Sequence, residues 1–199
     1  MFNSTEAIRN YLTQTDDGSL FSINEFLDYA SYENAKKIVQ RLEKNGELVR
    51  IIDGIYSKPK ISKLLNKPVP VSLNDVASKI AEKFAWNIIP SGDIALNMLH
   101  LSTQVPVCYE YLSDGPYREY EVYGMKLSFK HTTKRNIEGL SAKSALVIQS
   151  LKTLGASNIT EDTLETLKTV LSEEEKKTLI TECRRAPAWI CEQIKKIGV

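Results

Sequence analysis

The 199 residues, 42% hydrophobic and 26% charged, suffice for two small domains with buried cores and carry no signature of disorder. The formal net charge of +1 conceals an asymmetry: nine basic residues stand against three acidic ones from Lys36 to Lys67, a local +6, whereas residues 1–35 hold one arginine and six carboxylates. No apolar run approaches the roughly 18 residues a membrane helix needs and the opening MFNSTEAIRN has no signal-peptide core, so a cytoplasmic protein without a membrane partner is expected.

Asn3 and Glu6 have the spacing of a capping box, with Ile8, Tyr11 and Leu12 at helical period behind it, which predicts a first helix over about 4–14, ended by TDDGS. Ser22 and Glu25 form a second box. Phe21 before the cap and Phe26 four positions inside it make a hydrophobic staple, so a second helix is expected over 23–30. Behind the N-cap Ser31, the residues Ala35, Ile38, Val39 and Leu42 recur at i, i+3, i+4 and i+7 and define one narrow apolar face. The opposite face carries Glu33, Lys36, Lys37, Gln40, Arg41 and Lys44, and Asn45-Gly46 supplies a left-handed stop. ELVRI and IYSKP then read as strands joined by Asp53-Gly54, a pair suited to a two-residue type I′ turn.

Three short helices followed by a two-stranded wing are the order of a winged helix-turn-helix, expected over residues 1–60. In that arrangement the third helix enters the major groove of DNA. The candidate contacts are Tyr32, Asn34, Lys36, Lys37, Gln40, Arg41 and Lys44, the cations neutralising phosphates while Gln40 and Arg41 reach base edges. Arg50, Lys58 and Lys60 of the wing would lie along the flanking backbone, with Tyr56 packed beneath. The competing reading of the same charges is a solvated helix face on a module that associates only with protein.

SKPKISKLLNKPVPVSLND contains three prolines and little periodicity, so residues 61–73 read as an extended linker. The second domain, 74–199, opens with a helix at NDVASKIAEKF, a short strand at WNIIP and a helix at DIALNMLHL that buries Ile94, Ala95, Met98 and Leu99. VCYEYLS, YREYEVY and MKLSFKHT follow at period two, separated by SDGP and Gly124, which predicts an antiparallel meander. In the last of them Met125, Leu127 and Phe129 face one way and Lys126, Ser128 and Lys130 the other. With His131, Lys134 and Arg135, this wet basic face is a candidate second DNA contact, weighed against a plain solvated sheet surface. Helices are expected near 141–154, 160–171, 173–183 and 187–197, with Ser172 and Glu175 as a further capping box and Leu164, Leu167 and Leu171 in the core. The fold class is thus α+β: a winged helix-turn-helix, then a mixed α/β domain with an antiparallel meander and a helical tail. Cys108, Cys183 and Cys191 form no C-x-x-C pair and imply neither a disulfide framework nor a zinc site; each reads as a buried free thiol.

GIYSKP at the end of the wing, joined to IIPSGDIALNMLHLSTQVP in the second domain, resembles the AbiEi-type antitoxins, including the branch known as DUF6088 proteins. The resemblance covers about residues 5–150 and weakens in the helical tail. It implies a bacterial or phage-borne protein of type IV toxin–antitoxin and abortive-infection systems. Such a protein represses its own operon through the N-terminal winged helix, while its C-terminal domain counteracts a nucleotidyltransferase-like toxin encoded beside it. The recognition-helix positions matched here are Tyr32, Asn34, Lys36, Lys37, Gln40 and Arg41; no toxin-neutralising motif is identified. The expected partners are operator DNA upstream of its own gene and the cognate toxin, opposed directly or indirectly. A homodimer or cooperative binding to repeated half-sites is expected as well, because one small winged helix gives weak, salt-dependent affinity.

A divergent nucleotidyltransferase is a further alternative. Ser91-Gly92 opens a helix, and Glu119 and Glu121 place two carboxylates on one strand face, the parts such a site needs for a triphosphate and magnesium. The turn order is reversed, the carboxylates lie 27 positions beyond Gly92, and Arg118 stands beside them. No glycine-rich phosphate loop or metal-ligand cluster accompanies them, and nothing places an acid beside His100. A protein that is not an enzyme and needs no cofactor is the expectation.

Overall fold

The computed structural model describes residues 3–134 and 137–198. The chain divides into two units, one up to Ala85 and one from Trp86 onward, and is of the α+β class, with eight α-helices and two sheets among the described residues.

In the first unit, α1 (Ser4–Thr13) begins where the Asn3 side chain accepts the amides of Thr5 and Glu6, donors that a helix N-terminus otherwise leaves orphaned. The second box forms as well, the Ser22 amide donating to Glu25 Oε1 at 2.7 Å. It opens only a 3-10 turn, Ile23–Phe26, and not the helix over 23–30 that the staple predicts. The Phe26 carbonyl takes the amides of both Tyr29 and Ala30, and the chain turns. A box specifies where a helix starts; Leu27 and Asp28 behind it are exposed and offer no apolar stripe to prolong it. The next helix, α2 (Tyr32–Lys44), runs as its periodicity predicts, with Ala35, Ile38, Val39 and Leu42 buried. They pack with Ile8, Leu12, Phe21, Phe26, Leu48 and Tyr56 in one core, where Tyr11 meets Phe21 and Phe26 edge-on.

The sheet of this unit has three strands: β1 (Leu20–Ser22), β2 (Val49–Ile52) and β3 (Ile55–Ser57), in the order β1-β3-β2 with antiparallel neighbours. The Asp53-Gly54 pair closes β2 and β3, but only Gly54 is left-handed, at φ +74°. Asp53 is not, so the turn is not the type I′ that the pair suggests, and the β2–β3 register shifts between Arg50 and Ile52. The edge strand β1 is new: three residues show no alternation, and it is a strand only because β3 supplies its ladder. It is covered by α3 (Leu73–Phe84), which buries Leu73, Val76, Ala77, Ile80 and Ala81. Lys79 of α3 lies 3.1 Å from Glu25, and Lys83 Nζ donates to the Asp53 carbonyl at 3.2 Å. The helix that the sequence places at the head of the second domain therefore completes the first unit. Within the expected linker, the Lys60 carbonyl accepts Val69 N–H at 2.8 Å, the Lys67 carbonyl accepts Ser62 N–H at 2.9 Å, and Ile61 bridges Pro68. Residues 60–69 fold back as a small hairpin and not as an extended spacer.

The second unit holds β4 (Ile88–Ser91), α4 (Gly92–Met98), β5 (Cys108–Ser113), β6 (Arg118–Val122) and β7 (Met125–His131). The sheet order is β4-β5-β7-β6, with β5 and β7 parallel and the other pairs antiparallel. This corrects the antiparallel meander. Burial is the reason: Leu127, Ser128 and Phe129 of β7 are all enclosed, so β7 takes a central place, while β6, mostly exposed, goes to the edge. The loop from β5 to β6 must then cross the end of β7. It is fixed there by Asp114, which accepts Asn87 N–H and Nδ2–H at 2.9 and 2.8 Å, and by a 2.9 Å hydrogen bond between His131 Nδ1 and the Gly115 carbonyl. The tail helices α5 (Ala142–Leu154), α6 (Glu161–Val170), α7 (Glu173–Glu182) and α8 (Ala188–Ile197) enclose a separate core with Ala95 and Leu99 of α4. Ser141, Thr160 and Ser172 cap α5, α6 and α7 through their side chains.

Candidate nucleic-acid interface

The apolar stripe of α2 is used up by the core, which turns every polar residue of the helix outward. Tyr32, Asn34, Lys36, Lys37, Gln40, Arg41 and Lys44 are all exposed on it, Tyr32 with half of its surface accessible. Among the described residues no carboxylate forms an ion pair with Lys36, Lys37, Arg41 or Lys44. Four cations on three helical turns, none in an ion pair among the described residues, outnumber the one exposed carboxylate of the same face, Glu33, and give it a field suited to a polyanion. Arg9 and Glu47 fix its orientation: the guanidinium meets the carboxylate through two bonds of 2.7 and 2.9 Å, which ties α1 to the turn after α2. The bond to Arg9 holds the Glu47 carboxyl below the usual carboxylate range, against an opposing effect of burial. These partners are 38 positions apart, so no local pattern announces them.

The three wing candidates fare differently. Arg50 is engaged by Asp53, at the hairpin turn. Lys58 is turned inward: its Nζ donates to the Thr15 carbonyl at 2.7 Å and lies 3.1 Å from Asp17, which removes it from the α2 face. Lys60 is exposed, at the root of the 60–69 hairpin. Tyr56 is buried in the sheet, and burial raises its phenol, as packing beneath the wing demands. Lys83, which the sequence does not single out, pins the hairpin turn through its bond to Asp53.

The second basic face is discharged. Lys126 pairs with Glu119 and Lys130 with Glu110, the latter at 2.5 Å, and Ser128 between them is buried. The sequence places Lys126 and Lys130 on one face correctly, but the carboxylates come from the neighbouring strands β5 and β6, whose order it does not reveal. Lys134 stands 4.0 Å from Glu138, and Arg135 lies outside the described residues. The first of these pairs also occupies Glu119, one of the two candidate magnesium ligands, whereas Glu121 is exposed on the edge strand. Glu119 is bonded by Lys126 and Tyr117, and Lys126, the larger cause, holds its carboxyl below the ordinary range. Among the described residues no group of three or more histidine, cysteine, aspartate or glutamate side chains could hold a metal ion, and no helix is long and apolar enough to cross a membrane.

Residues 7–179 match the model of a family of unknown function, DUF6088. No curated protein matches the chain. Among solved structures, the RV2827C protein from Mycobacterium tuberculosis has the same fold at a TM-score of 0.50 and 13% sequence identity, over 98% of this chain and 75% of that one.

Proposed function

This chain belongs to the DUF6088 family, and we propose that it is a DNA-binding autorepressor that serves as the antitoxin of an AbiE-like, type IV toxin–antitoxin pair. The observation that carries this reading is the α2 face, where Lys36, Lys37, Arg41 and Lys44 are exposed and have no carboxylate ion-pair partner among the described residues. The order α1, β1, 3-10 turn, α2, β2, β3 supports reading the first unit as a winged helix-turn-helix, with α2 as the recognition helix and β2–β3 as a short wing. Lys36, Lys37, Arg41 and Lys44 neutralise phosphates, and Asn34, Gln40 and Tyr32 are placed to read base edges. Four phosphate contacts per protomer give modest affinity with a log K against log salt slope of about −4, so repeated half-sites or a homodimer are required for tight binding. The second unit carries the antagonism of a nucleotidyltransferase-like toxin, directly or through its target. The discharged state of Glu119 speaks against a nucleotidyltransferase activity in this chain itself.

The test is binding of the purified protein to labelled DNA from upstream of its own gene, against scrambled competitor, at two salt concentrations. Specific, salt-sensitive binding is expected. Equal affinity for the scrambled duplex would overturn the operator role, and no binding at low salt would remove DNA altogether and leave α2 as a protein-contact surface.

A further inference from the structure

Two of the three cysteines meet at the joint between α7 and α8. Cys183 opens the 3-10 turn Cys183–Arg185 that ends α7, and Cys191 sits one turn into α8. Cys191 Sγ donates to the Cys183 carbonyl, and Cys183 Sγ donates to the Ile180 carbonyl at 3.1 Å. The two thiols also sense one another: burial, and next the neighbouring Cys191, raise the Cys183 thiol. Cys183 is enclosed and Cys191 is partly accessible, which gives one thiol for an oxidant to reach and a second waiting behind it. Cys108 is remote in this respect, on β5 beside Ser128 at 3.6 Å.

We propose that Cys183 and Cys191 are a reversible dithiol switch, closed to a disulfide by a peroxide, that staples α8 to the end of α7. The Cys191 thiolate attacks one peroxide oxygen, the O–O bond breaks, and the sulfur becomes a sulfenic acid as the first water leaves. The Cys183 sulfur then attacks the Cys191 sulfur, and the second water departs with the sulfenic oxygen. Two thiols and one hydrogen peroxide give one disulfide and two waters: the dithiol loses two electrons and the peroxide gains them. A small dithiol reverses the bond by exchange. The consequence lies in the tail. Ile190, Ile194 and Ile197 of α8 are fully buried in the helical core, so release of this last helix opens that core, and a staple at its first turn opposes the release.

The experiment treats the full chain with hydrogen peroxide, then counts free thiols and maps peptides without reduction. The expected result is a loss of two thiols, a cross-linked Cys183–Cys191 peptide, one thiol retained at Cys108, and amide exchange in 188–197 slowed about tenfold or more. Dithiothreitol restores all of it. Cys191→Ser, at the more accessible position, abolishes the cross-link and keeps the native spectrum, and Cys108→Ser forms it as wild type does. Sulfinic acid at Cys191 without a cross-link, or a disulfide through Cys108 between chains, would overturn the proposal. So would a cross-link that leaves the exchange of α8 unchanged.

Discussion

At the scale of single residues, the α2 face separates two kinds of contact. Lys36 carries charge alone, whereas Gln40 carries an amide that can pair with a base edge. Lys36→Ala is expected to weaken binding uniformly across sequences and to lower the salt slope by about 1. Gln40→Ala is expected to leave the slope unchanged and to cost about 1–3 kcal/mol only on the preferred sequence. Competition titrations at two salt concentrations distinguish the two. Stability has its own single-residue test at Gly115, where an added Cβ would lie 2.3 Å from the Trp86 ring, which in turn packs edge-on against Phe129. Gly115→Ala is expected to destabilise by about 1–3 kcal/mol, since the indole must shift and the crossing loop with it. A denaturation midpoint equal to wild type would contradict that packing.

At the scale of elements, caps and turns decide how much can be read in advance. Asn3, Ser72, Ser141, Thr160 and Ser172 each accept a first-turn amide. The helices behind Asn3, Ser141, Thr160 and Ser172 start within a residue of where the local pattern places them, whereas Ser72 and Leu73 open α3 inside the stretch read as linker. The Ser22–Glu25 box misleads about length because the stripe behind it is missing. The turn after β6 is two residues, Tyr123-Gly124, both left-handed at φ +53° and +76°, which is the type I′ geometry that closes β6 onto β7. A tyrosine is strained there, so Tyr123→Asn is expected to stabilise by about 0.5–1 kcal/mol; a lower melting temperature would contradict the turn assignment. The Arg9–Glu47 clamp gives a pH test. Glu47 titrates below its unfolded value of about 4.3, so its contribution is complete above that value and is lost as pH falls through the lowered folded value. The melting-temperature gap between wild type and Glu47→Gln should therefore be largest near neutrality and vanish in acid. A gap that grows in acid would contradict the clamp.

For the molecule as a whole, what the sequence conveys and what it withholds follow from the range of the interactions involved. The split of charge between residues 1–35 and 36–67 and the stripe of α2 are local, and they mark out the exposed basic face that is the candidate interface. The strand β1 and the order β4-β5-β7-β6 depend on partners far away in the chain, so the sequence shows neither the third strand of the first sheet nor the parallel neighbour of β7. The carboxylates that discharge Lys126 and Lys130 arrive by that same hidden order. The assignment of α3 to the first unit likewise rests on Lys79 finding Glu25, 54 positions back along the chain.

The central claim is that α2 reads DNA, and the measurement that tests it most directly is the affinity of Lys36→Ala/Lys37→Ala/Arg41→Ala for the upstream duplex as a function of salt, beside its circular dichroism. With those three side chains on the wet face of a helix whose core residues are untouched, the fold should be unchanged. The affinity should fall by several kcal/mol at low salt, and the salt slope should drop by about 3. Wild-type affinity and slope in the folded triple variant would contradict the account.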